Sequence, residues 1–334
     1  MPLNPNAKLN SKLFDADVEQ RATRDGYGTG LLQAGDENPN VVALCADLTE
    51  STRTEGFAKK YPERFFEVGV AEQNLATIAA GLGISGKVAF ISSYATFSPG
   101  RNWEQIRTTI SYNDSNVKIA GAHAGISVGP DGATHQAIED IATMRVMANM
   151  KVFVPCDAAE AKKATLAAAK IWGPVYLRLG REKTPAMTTE ATPYTPGKAE
   201  VFWEARGSEC LIIGCGSILY NALLAAKELE KEKVKVTVLN VHSVKPLDEK
   251  KIIALAKSSG AVVTVEEHQV SGGLGGAVAE LLAKHAPVPI EFIGMQDVFG
   301  ESGAPSELIE KYGMGSKDIK AAVLRVLKRG IHDL

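Results

Sequence analysis

Long apolar runs, an excess of charge of one sign and paired cysteines are all missing from this chain of 334 residues. No stretch approaches the roughly 18 consecutive apolar residues that a membrane-spanning helix needs. The N-terminal segment has no apolar core of the kind that signal peptides carry. Acidic and basic residues nearly cancel, at 39 and 37, so neither a nucleic-acid surface nor an acidic disordered tail is expected. We therefore expect a soluble, cytoplasmic protein with no membrane or nucleic-acid partner.

The cysteines give no indication of a zinc site. None of them forms a CxxC pair or a spacing typical of zinc ligands. Three of the four lie in apolar, strand-like runs, which favours small buried thiols in a reducing compartment. The four are Cys45, Cys156, Cys210 and Cys215.

Strand and helix patterns alternate along the chain in two blocks. Apolar runs such as VVALCAD, KVAFISSYA and PVYLRLG alternate with helical patterns in the first block, and CLIIGCG, VKVTVLNV and AVVTVEEH do so in the second. Uninterrupted hydrophobic strands between helices are typical of a parallel sheet that is covered on both faces. A Thr- and Pro-rich stretch separates the blocks. The sequence thus predicts an α/β protein with two doubly wound domains, at 1–187 and 206–334, joined by a linker at 188–205.

A single carboxylate stands at a strand–helix junction in the stretch FEVGVAEQN. Glu72 follows an apolar, strand-like run and begins the helical pattern EQNLATIAAGLG. A carboxylate at a helix N-terminus can simply favour the helix dipole, by about 0.3–1 kcal/mol. It can also be a catalytic acid or base. Position alone leaves both interpretations open.

Polar side chains also follow other predicted strands of the first block. The segments ADLTES and GAHAGISVGPDGATHQ carry the candidates Asp47, Ser51, His123, Asp131 and His135. A lone His is more often structural than functional. Ligands bind at the carboxyl ends of the strands in doubly wound sheets, so two His and several acids at such ends together favour a site.

Two glycine-rich stretches admit a functional and a structural interpretation. GGLGGAV, from Gly272, follows a predicted strand and opens a helix, an arrangement that can hold an anion. It lacks the GxGxxG spacing, and GCGS at Gly214 lacks the third glycine. Close packing of a strand on a helix is the structural explanation for the glycines in both stretches.

Several motifs, taken in order, resemble the C-terminal half of transketolases. VGVAEQN, YATF, GPDGATHQ and YLRLGRE resemble the first part of that half, and VKPLD, VEEHQVSGGLGGAVAE and FGESG resemble the second. The resemblance covers essentially the whole chain and is best to split transketolases, where two polypeptides share what is usually one long chain. It implies a pyrimidine-binding thiamine-diphosphate fold followed by a transketolase C-terminal domain. It also implies transfer of a two-carbon ketol unit from a ketose phosphate to an aldose phosphate, as in the pentose phosphate pathway.

The resemblance assigns cofactor contacts in the first domain. Glu72 matches the Glu that hydrogen-bonds N1′ of the aminopyrimidine and so favours the tautomer that removes the thiazolium C2 proton. Tyr94 and Phe97 match aromatics around the aminopyrimidine, and Asp47 matches an acid close to cofactor and substrate. The family usually offers another aromatic shortly after Phe97, where this chain has SPGR with Gly100.

The resemblance also assigns substrate contacts. Four residues match a sugar-phosphate subsite, to which Arg contributes a planar donor fork. They are Arg21, Ser51, His123 and Arg181. Arg24 competes with Arg21 for that role, and Arg178 competes with Arg181. Asp131 and His135 match residues that contact a donor hydroxyl and the donor carbonyl oxygen or its neighbouring hydroxyl.

One family motif is missing. Thiamine-diphosphate enzymes bind the diphosphate and Mg²⁺ through GDG followed by an Asn, and this chain has no GDG. The resemblance therefore implies an N-terminal partner subunit that holds most of the Mg²⁺ and diphosphate site, with no metal ligand in this chain. An α₂β₂ heterotetramer, with homodimerisation inside it, is expected by analogy.

Two alternative functions stay open. The first is an E1β-like subunit of a 2-oxoacid dehydrogenase or another thiamine-diphosphate enzyme. E1β chains generally lack the DGxTHQ pattern, and deoxyxylulose-phosphate synthases carry Arg where this chain has Ala124. The second is a non-catalytic partner subunit, against which Glu72 and the DGATHQ loop argue.

Overall fold

The computed structural model describes residues 3–332, with side chains as far as residue 329. The strands, in chain order, are β1 (Gln20–Ala22), β2 (Val41–Cys45), β3 (Phe65–Glu67), β4 (Val88–Tyr94), β5 (Val117–Ala122), β6 (Lys151–Phe153), β7 (Val175–Arg178), β8 (Lys183–Pro185), β9 (Glu200–Glu204), β10 (Cys210–Gly214), β11 (Val236–Asn240), β12 (Ser243–Lys245), β13 (Val262–Gln269) and β14 (Ile290–Met295). In that part of the chain, no helix has the length and apolar character needed to cross a membrane.

Helices cover the sheets. In chain order they are α1 (Thr23–Glu37), α2 (Glu55–Lys60), α3 (Glu72–Ile84), α4 (Trp103–Gln105), α5 (Asp140–Arg145), α6 (Ala158–Lys170), α7 (Leu219–Lys231), α8 (Glu249–Ser259), α9 (Leu274–His285), α10 (Pro305–Lys311) and α11 (Ser316–His332). Short 3₁₀ segments form at Pro5–Ala7, Pro62–Arg64 and Ile126–Asp131, and a π-helical turn at Ile106–Ser111 continues α4.

Two larger sheets and a small ribbon form among residues 3–332. The first sheet has the order β12-β6-β7-β5-β4-β2-β3, and the second has the order β14-β13-β10-β11-β9. Within these two sheets, all strand pairs are parallel except the two edge pairs β12–β6 and β11–β9. The ribbon pairs β1 with β8. The predicted α/β fold with two doubly wound sheets is confirmed, and the carboxyl ends of β2, β4 and β5 meet at one edge of the first sheet.

Three segments make contacts across the predicted domain boundaries. Strand β9, inside the predicted linker at 188–205, pairs with β11 of the second sheet, so the end of that linker is regular structure. Strand β12 comes from the second block yet pairs with β6 of the first sheet. Near the N-terminus, Phe14 packs edge-on against Trp203 at 6.4 Å between ring centroids. The domain boundaries themselves stay a prediction.

Helix α1 packs very closely on α6, and glycine makes this possible. A Cβ at Gly26 would lie 1.9 Å from the carbonyl oxygen of Ala158, and one at Gly30 would lie 2.8 Å from Thr165 Cβ. Glycine is a weak helix former, so the sequence pattern did not predict α1. The close packing fixes the first turn of α1 beside the carboxyl edge of the first sheet.

The glycine-rich turn before α9 has a structural role. The carboxylate of Glu266 accepts hydrogen bonds from the backbone N–H groups of Leu274 and Gly275, at 2.7 and 2.8 Å. A Cβ at Gly273 would lie 2.1 Å from Glu266 Oε2. The chain's own carboxylate therefore occupies the anion position at this helix N-terminus. The four cysteines are free and buried, as predicted.

Candidate active site

Glu72 is the first residue of α3, and its side chain is only 4% exposed. Both of its carboxylate oxygens accept hydrogen bonds from Arg101 Nη1, at 3.1 and 3.2 Å. Its backbone carbonyl accepts a hydrogen bond from Asn102 Nδ2 at 2.9 Å. The structure thus places a buried, charge-paired carboxylate at a helix N-terminus, next to the carboxyl edge of the first sheet.

An aromatic cluster lies at the ends of β4 and β5. Tyr94 and Phe97 stack at 5.7 Å between centroids, and Tyr94 stacks on the imidazole of His123 at 3.8 Å. The ring of His135 meets Phe97 edge-on at 5.4 Å. The DGATHQ loop and the YATF run, far apart in sequence, therefore contribute to one wall, as expected if both belong to a single site.

His123 is held neutral, with its proton on a buried nitrogen. Its Nε2 lies 3.3 Å from Arg24 Nη1, and because arginine can only donate, Nε2 accepts and the proton is on Nδ1. Burial, followed by the charges of Arg24 and Arg181, lowers the pKa of His123 to about 3. The buried Nδ1 has no hydrogen-bond partner within the described residues. His123 also has φ +54°, in the left-handed region that is uncommon for residues other than glycine.

The structure brings Arg24, and not Arg21, to this cluster. Arg24 lies in the first turn of α1, and its Nη1 donates to the carbonyl of Ser51 at 2.9 Å. Arg21 belongs to β1, where it pairs with Thr184 and is exposed. The sequence assignment of Arg21 is therefore corrected: α1 begins at Thr23, so only the second arginine of RATR faces the cluster.

Burial distinguishes Arg178 from Arg181. Arg178 ends β7, is 7% exposed and forms an ion pair with Asp140 Oδ2 at 2.8 Å. Its Nη2 donates to the carbonyls of Ala137 and Glu267. Arg178 therefore ties the two domains together. Arg181 lies beyond the strand, is partly exposed and uses one nitrogen for the carbonyl of Val128, at 2.8 Å, which leaves donors free for a ligand.

The two predicted aspartates are exposed at the rim. Asp47 has φ +59°, and its backbone N–H donates to Glu67 Oε1 at 2.7 Å. Asp131 ends the 3₁₀ segment Ile126–Asp131. Within residues 3–329, neither carboxylate forms a hydrogen bond or ion pair. The structure thus leaves both carboxylates open to solvent, without tying either one to the histidines.

Sequence reasoning missed Arg101 and Asn102. Both follow the SPG turn, where a Cβ on Gly100 would lie 1.9 Å from the Thr96 carbonyl oxygen. The guanidinium of Arg101 lies over the ring of Phe97, 4.0 Å from its centroid. The available signal was an arginine four residues after Phe97, in the SPGR stretch where the chain departs from the family pattern.

The site residues fit half of a thiamine-diphosphate site. A buried carboxylate beside an aromatic face suits a heterocycle that carries a ring nitrogen, and Glu72 and Phe97 would hold it. Arg24 and Arg181, near the neutral imidazole of His123, suit an anionic substrate group. Among the residues whose side chains are described, no group of three or more His, Cys, Asp or Glu is arranged to hold a metal ion.

A buried carboxylate at a helix N-terminus, on the carboxyl edge of a parallel sheet, is the arrangement expected of a pyrimidine-binding domain of the thiamine-diphosphate type. Comparison with family models agrees with this class. Residues 19–187 match the transketolase pyrimidine binding domain, and residues 197–319 match the transketolase C-terminal domain. The chain belongs to the transketolase family, as its motifs predicted.

Relatives of known name have the same extent as this chain. It is 41% identical over 312 residues to a putative transketolase C-terminal section of Methanocaldococcus jannaschii, covering 92% of this chain and 97% of the relative. It is 38% identical to a 6-deoxy-6-sulfo-D-fructose transketolase subunit of Clostridium sp. (strain MSTE9), over 95% of this chain and 98% of that one. A solved split gene transketolase, an inactive beta4 tetramer, is 48% identical with a TM-score of 0.86, over 92% and 98% of the two chains.

Proposed function

We propose that this chain is the C-terminal subunit of a two-chain, thiamine-diphosphate-dependent transketolase. It transfers a two-carbon ketol unit from a ketose with an anionic group to an aldose phosphate. The observation that carries the proposal is the buried carboxylate of Glu72, placed beside the wall formed by Tyr94, Phe97, His123 and His135. The names of relatives that match 92% and 95% of this chain support the same assignment.

Glu72 and the aromatic wall are proposed to form the cofactor half of the site. Thiamine diphosphate, when bound, supplies a carbon nucleophile that no protein side chain offers. Glu72 would hold the proton shared with ring nitrogen N1′, and the aromatic faces of Tyr94 and Phe97 would orient the ring and exclude water. Asp47, at the exposed rim, would face both cofactor and substrate.

The histidines and arginines are proposed to bind the sugar. His123 stays neutral across the physiological pH range and accepts a hydrogen bond from Arg24 through Nε2, so it would orient the Arg24 guanidinium without adding charge. His135 and Asp131 would contact the donor carbonyl and hydroxyl groups. Arg181, Arg24 and Ser51 would hold the anionic end. A sulfonate has the same three-oxygen face as a phosphate, and one relative is named for a sulfonated fructose, so both anions are candidates.

A partner subunit is proposed to complete the site. The chain lacks GDG, and relatives of the same extent are named as a C-terminal section and as a subunit. The N-terminal subunit would bind Mg²⁺ and the diphosphate, and the cofactor would lie between the two chains in an α₂β₂ assembly.

Reconstitution tests the proposed function. The chain is mixed with a candidate N-terminal subunit that carries GDG, in the presence of thiamine diphosphate and Mg²⁺, and ketol transfer between pentose phosphates is measured. We expect activity only when both chains are present. Ketol transfer by the chain alone would refute the split site, and oxidation of a 2-oxoacid in place of ketol transfer would favour the dehydrogenase alternative.

A further inference from the structure

Arg101 contacts both Glu72 and Phe97, the two residues proposed to contact the aminopyrimidine of the cofactor. Its Nη1 donates to both carboxylate oxygens of Glu72, at 3.1 and 3.2 Å. Its planar guanidinium lies over the ring of Phe97, 4.0 Å from the centroid. A flat group with N–H donors therefore already occupies the space between the carboxylate and the aromatic face.

We propose that Arg101 is a latch that closes the pyrimidine site in the subunit without cofactor. The proposal rests on the proposed function, because it takes Glu72 and Phe97 as the cofactor contacts. Cofactor binding then requires the guanidinium to leave both groups. The measured affinity is therefore the intrinsic affinity multiplied by the fraction of molecules in which the latch is open.

The latch can open by movement of one side chain. The Arg101 side chain is 49% exposed, whereas that of Glu72 is 4% exposed. The Arg101 backbone is fixed, since its N–H donates to the Phe97 carbonyl at 2.8 Å. Asn102 Nδ2 holds the Glu72 carbonyl and, at 3.1 Å, Ser98 Oγ. Glu72 therefore stays in place when the guanidinium turns out to solvent.

A closed latch also has a physical purpose in the free subunit. A buried carboxylate without a partner is strongly unfavourable, and leaving one behind is the main cost of breaking a buried pair. Arg101 satisfies Glu72 until a ring with its own donor arrives. The chain turns at Ser98–Gly100, and the guanidinium of Arg101 directly after this turn lies over Phe97.

The first test measures the ion pair in the isolated chain. Urea unfolding is compared for wild type, Arg101→Met, Glu72→Gln and the double variant. We expect each single variant to lower the midpoint, and the double variant to lose clearly less than the sum of the two. Arg107→Met, at an exposed position of the π-helical turn Ile106–Ser111, is the matched control and should unfold like wild type. Additive losses would show that the latch is not closed in the free chain, and so would overturn it.

The second test measures thiamine diphosphate binding to the reconstituted two-chain assembly with Mg²⁺, by calorimetry and by stopped-flow fluorescence. Arg101→Met should bind the cofactor on the order of tenfold tighter and faster. Arg101→Lys, which keeps the charge but loses the planar fork, should lie between it and wild type. Arg107→Met should not differ from wild type.

The outcomes separate the two proposals. Equal or weaker binding by Arg101→Met, with wild type binding normally, overturns the latch and leaves the proposed function intact. Failure of the wild-type and Arg101→Met assemblies to bind the cofactor overturns the proposed function, and the latch with it.

Discussion

The imidazole of His123 stacks on the phenol ring of Tyr94, with 3.8 Å between centroids and an interplanar angle of 27°. His123 follows β5 in a left-handed conformation, and Tyr94 is the last residue of β4. Two neighbouring parallel strands thus end in rings that support each other. The stack fixes the plane of the imidazole and hence the direction of its Nε2, which accepts a hydrogen bond from Arg24.

This stack predicts different outcomes for two changes of Tyr94. Tyr94→Phe keeps the ring and should leave ketol transfer by the reconstituted enzyme within a few-fold of wild type. Tyr94→Ala removes a stack worth about 0.5–1.5 kcal/mol beyond its burial, so His123 loses its orientation and kcat/KM should fall at least tenfold. Steady-state kinetics check both variants. Equal activity of Tyr94→Ala and Tyr94→Phe would show that the stack does not orient His123.

The two arginines of RATR form a matched pair for testing the anion subsite. Arg24 contacts His123 and Ser51, whereas Arg21 is exposed in β1. Loss of a charge-assisted hydrogen bond costs about 1.5–3 kcal/mol, so Arg24→Met should raise KM for a sugar phosphate by roughly 10- to 100-fold. Arg21→Met should leave KM nearly unchanged. The opposite ranking of the two KM values would restore the assignment made from the sequence.

The choice between these arginines illustrates what the sequence could not decide. Both lie next to the start of α1, and the answer depends on which residue begins the helix. Four glycines weaken the helical pattern of α1. Gly26 and Gly30 allow close packing on α6, whereas Gly28 lies against Arg53 and Gly35 against Phe57. The buried strands β4 and β5 were predictable, since continuous apolar runs carry their own signal.

Edge strands and long-range contacts could not be predicted from the sequence, for a different reason. Strand β12 is three residues long and pairs antiparallel with β6, about 90 residues earlier in the chain. No local pattern encodes such a partner. The ion pair of Arg101 with Glu72 is of the same kind, because it depends on where the SPG turn directs the chain. Motifs that combine several residue types, such as DGATHQ, could be recognised from the sequence, because the resemblance rests on the order of their residues.

Glu72 separates a catalytic subunit from a scaffold. Glu72→Ala should reduce ketol transfer by the reconstituted pair by about 10²–10⁴-fold or more, because the carboxylate handles a proton in the reaction. Glu63→Ala, at an exposed carboxylate paired with Arg64, is the control and should retain activity. Co-elution of the two chains during size-exclusion chromatography shows that assembly is intact. Full activity of Glu72→Ala in an intact assembly would indicate a non-catalytic role for this chain.

The neutral state of His123 predicts how stability depends on pH. Burial and the charges of Arg24 and Arg181 lower its pKa to about 3, from 6.5. The unfolded chain therefore takes up a proton below pH 6.5 that the folded chain refuses, so this contribution to stability is complete above pH 6.5 and is lost as the pH falls towards 3. Between pH 7 and pH 5, His123→Gln should lose about 2 kcal/mol less unfolding free energy than wild type.

Urea unfolding at the two pH values measures this difference. Two further histidines serve as a second buried case and as an exposed control. His242 is fully buried, and burial also lowers its pKa to about 3, so His242→Gln should flatten the profile by a similar amount. His285, at the exposed end of α9, is the control whose replacement by Gln should not change the slope. The double variant His123→Gln/His242→Gln should then show the sum, since additivity is expected of separate sites. An unchanged slope in His123→Gln would mean that the folded chain protonates His123 as readily as the unfolded chain does, so that the fold does not hold this histidine neutral.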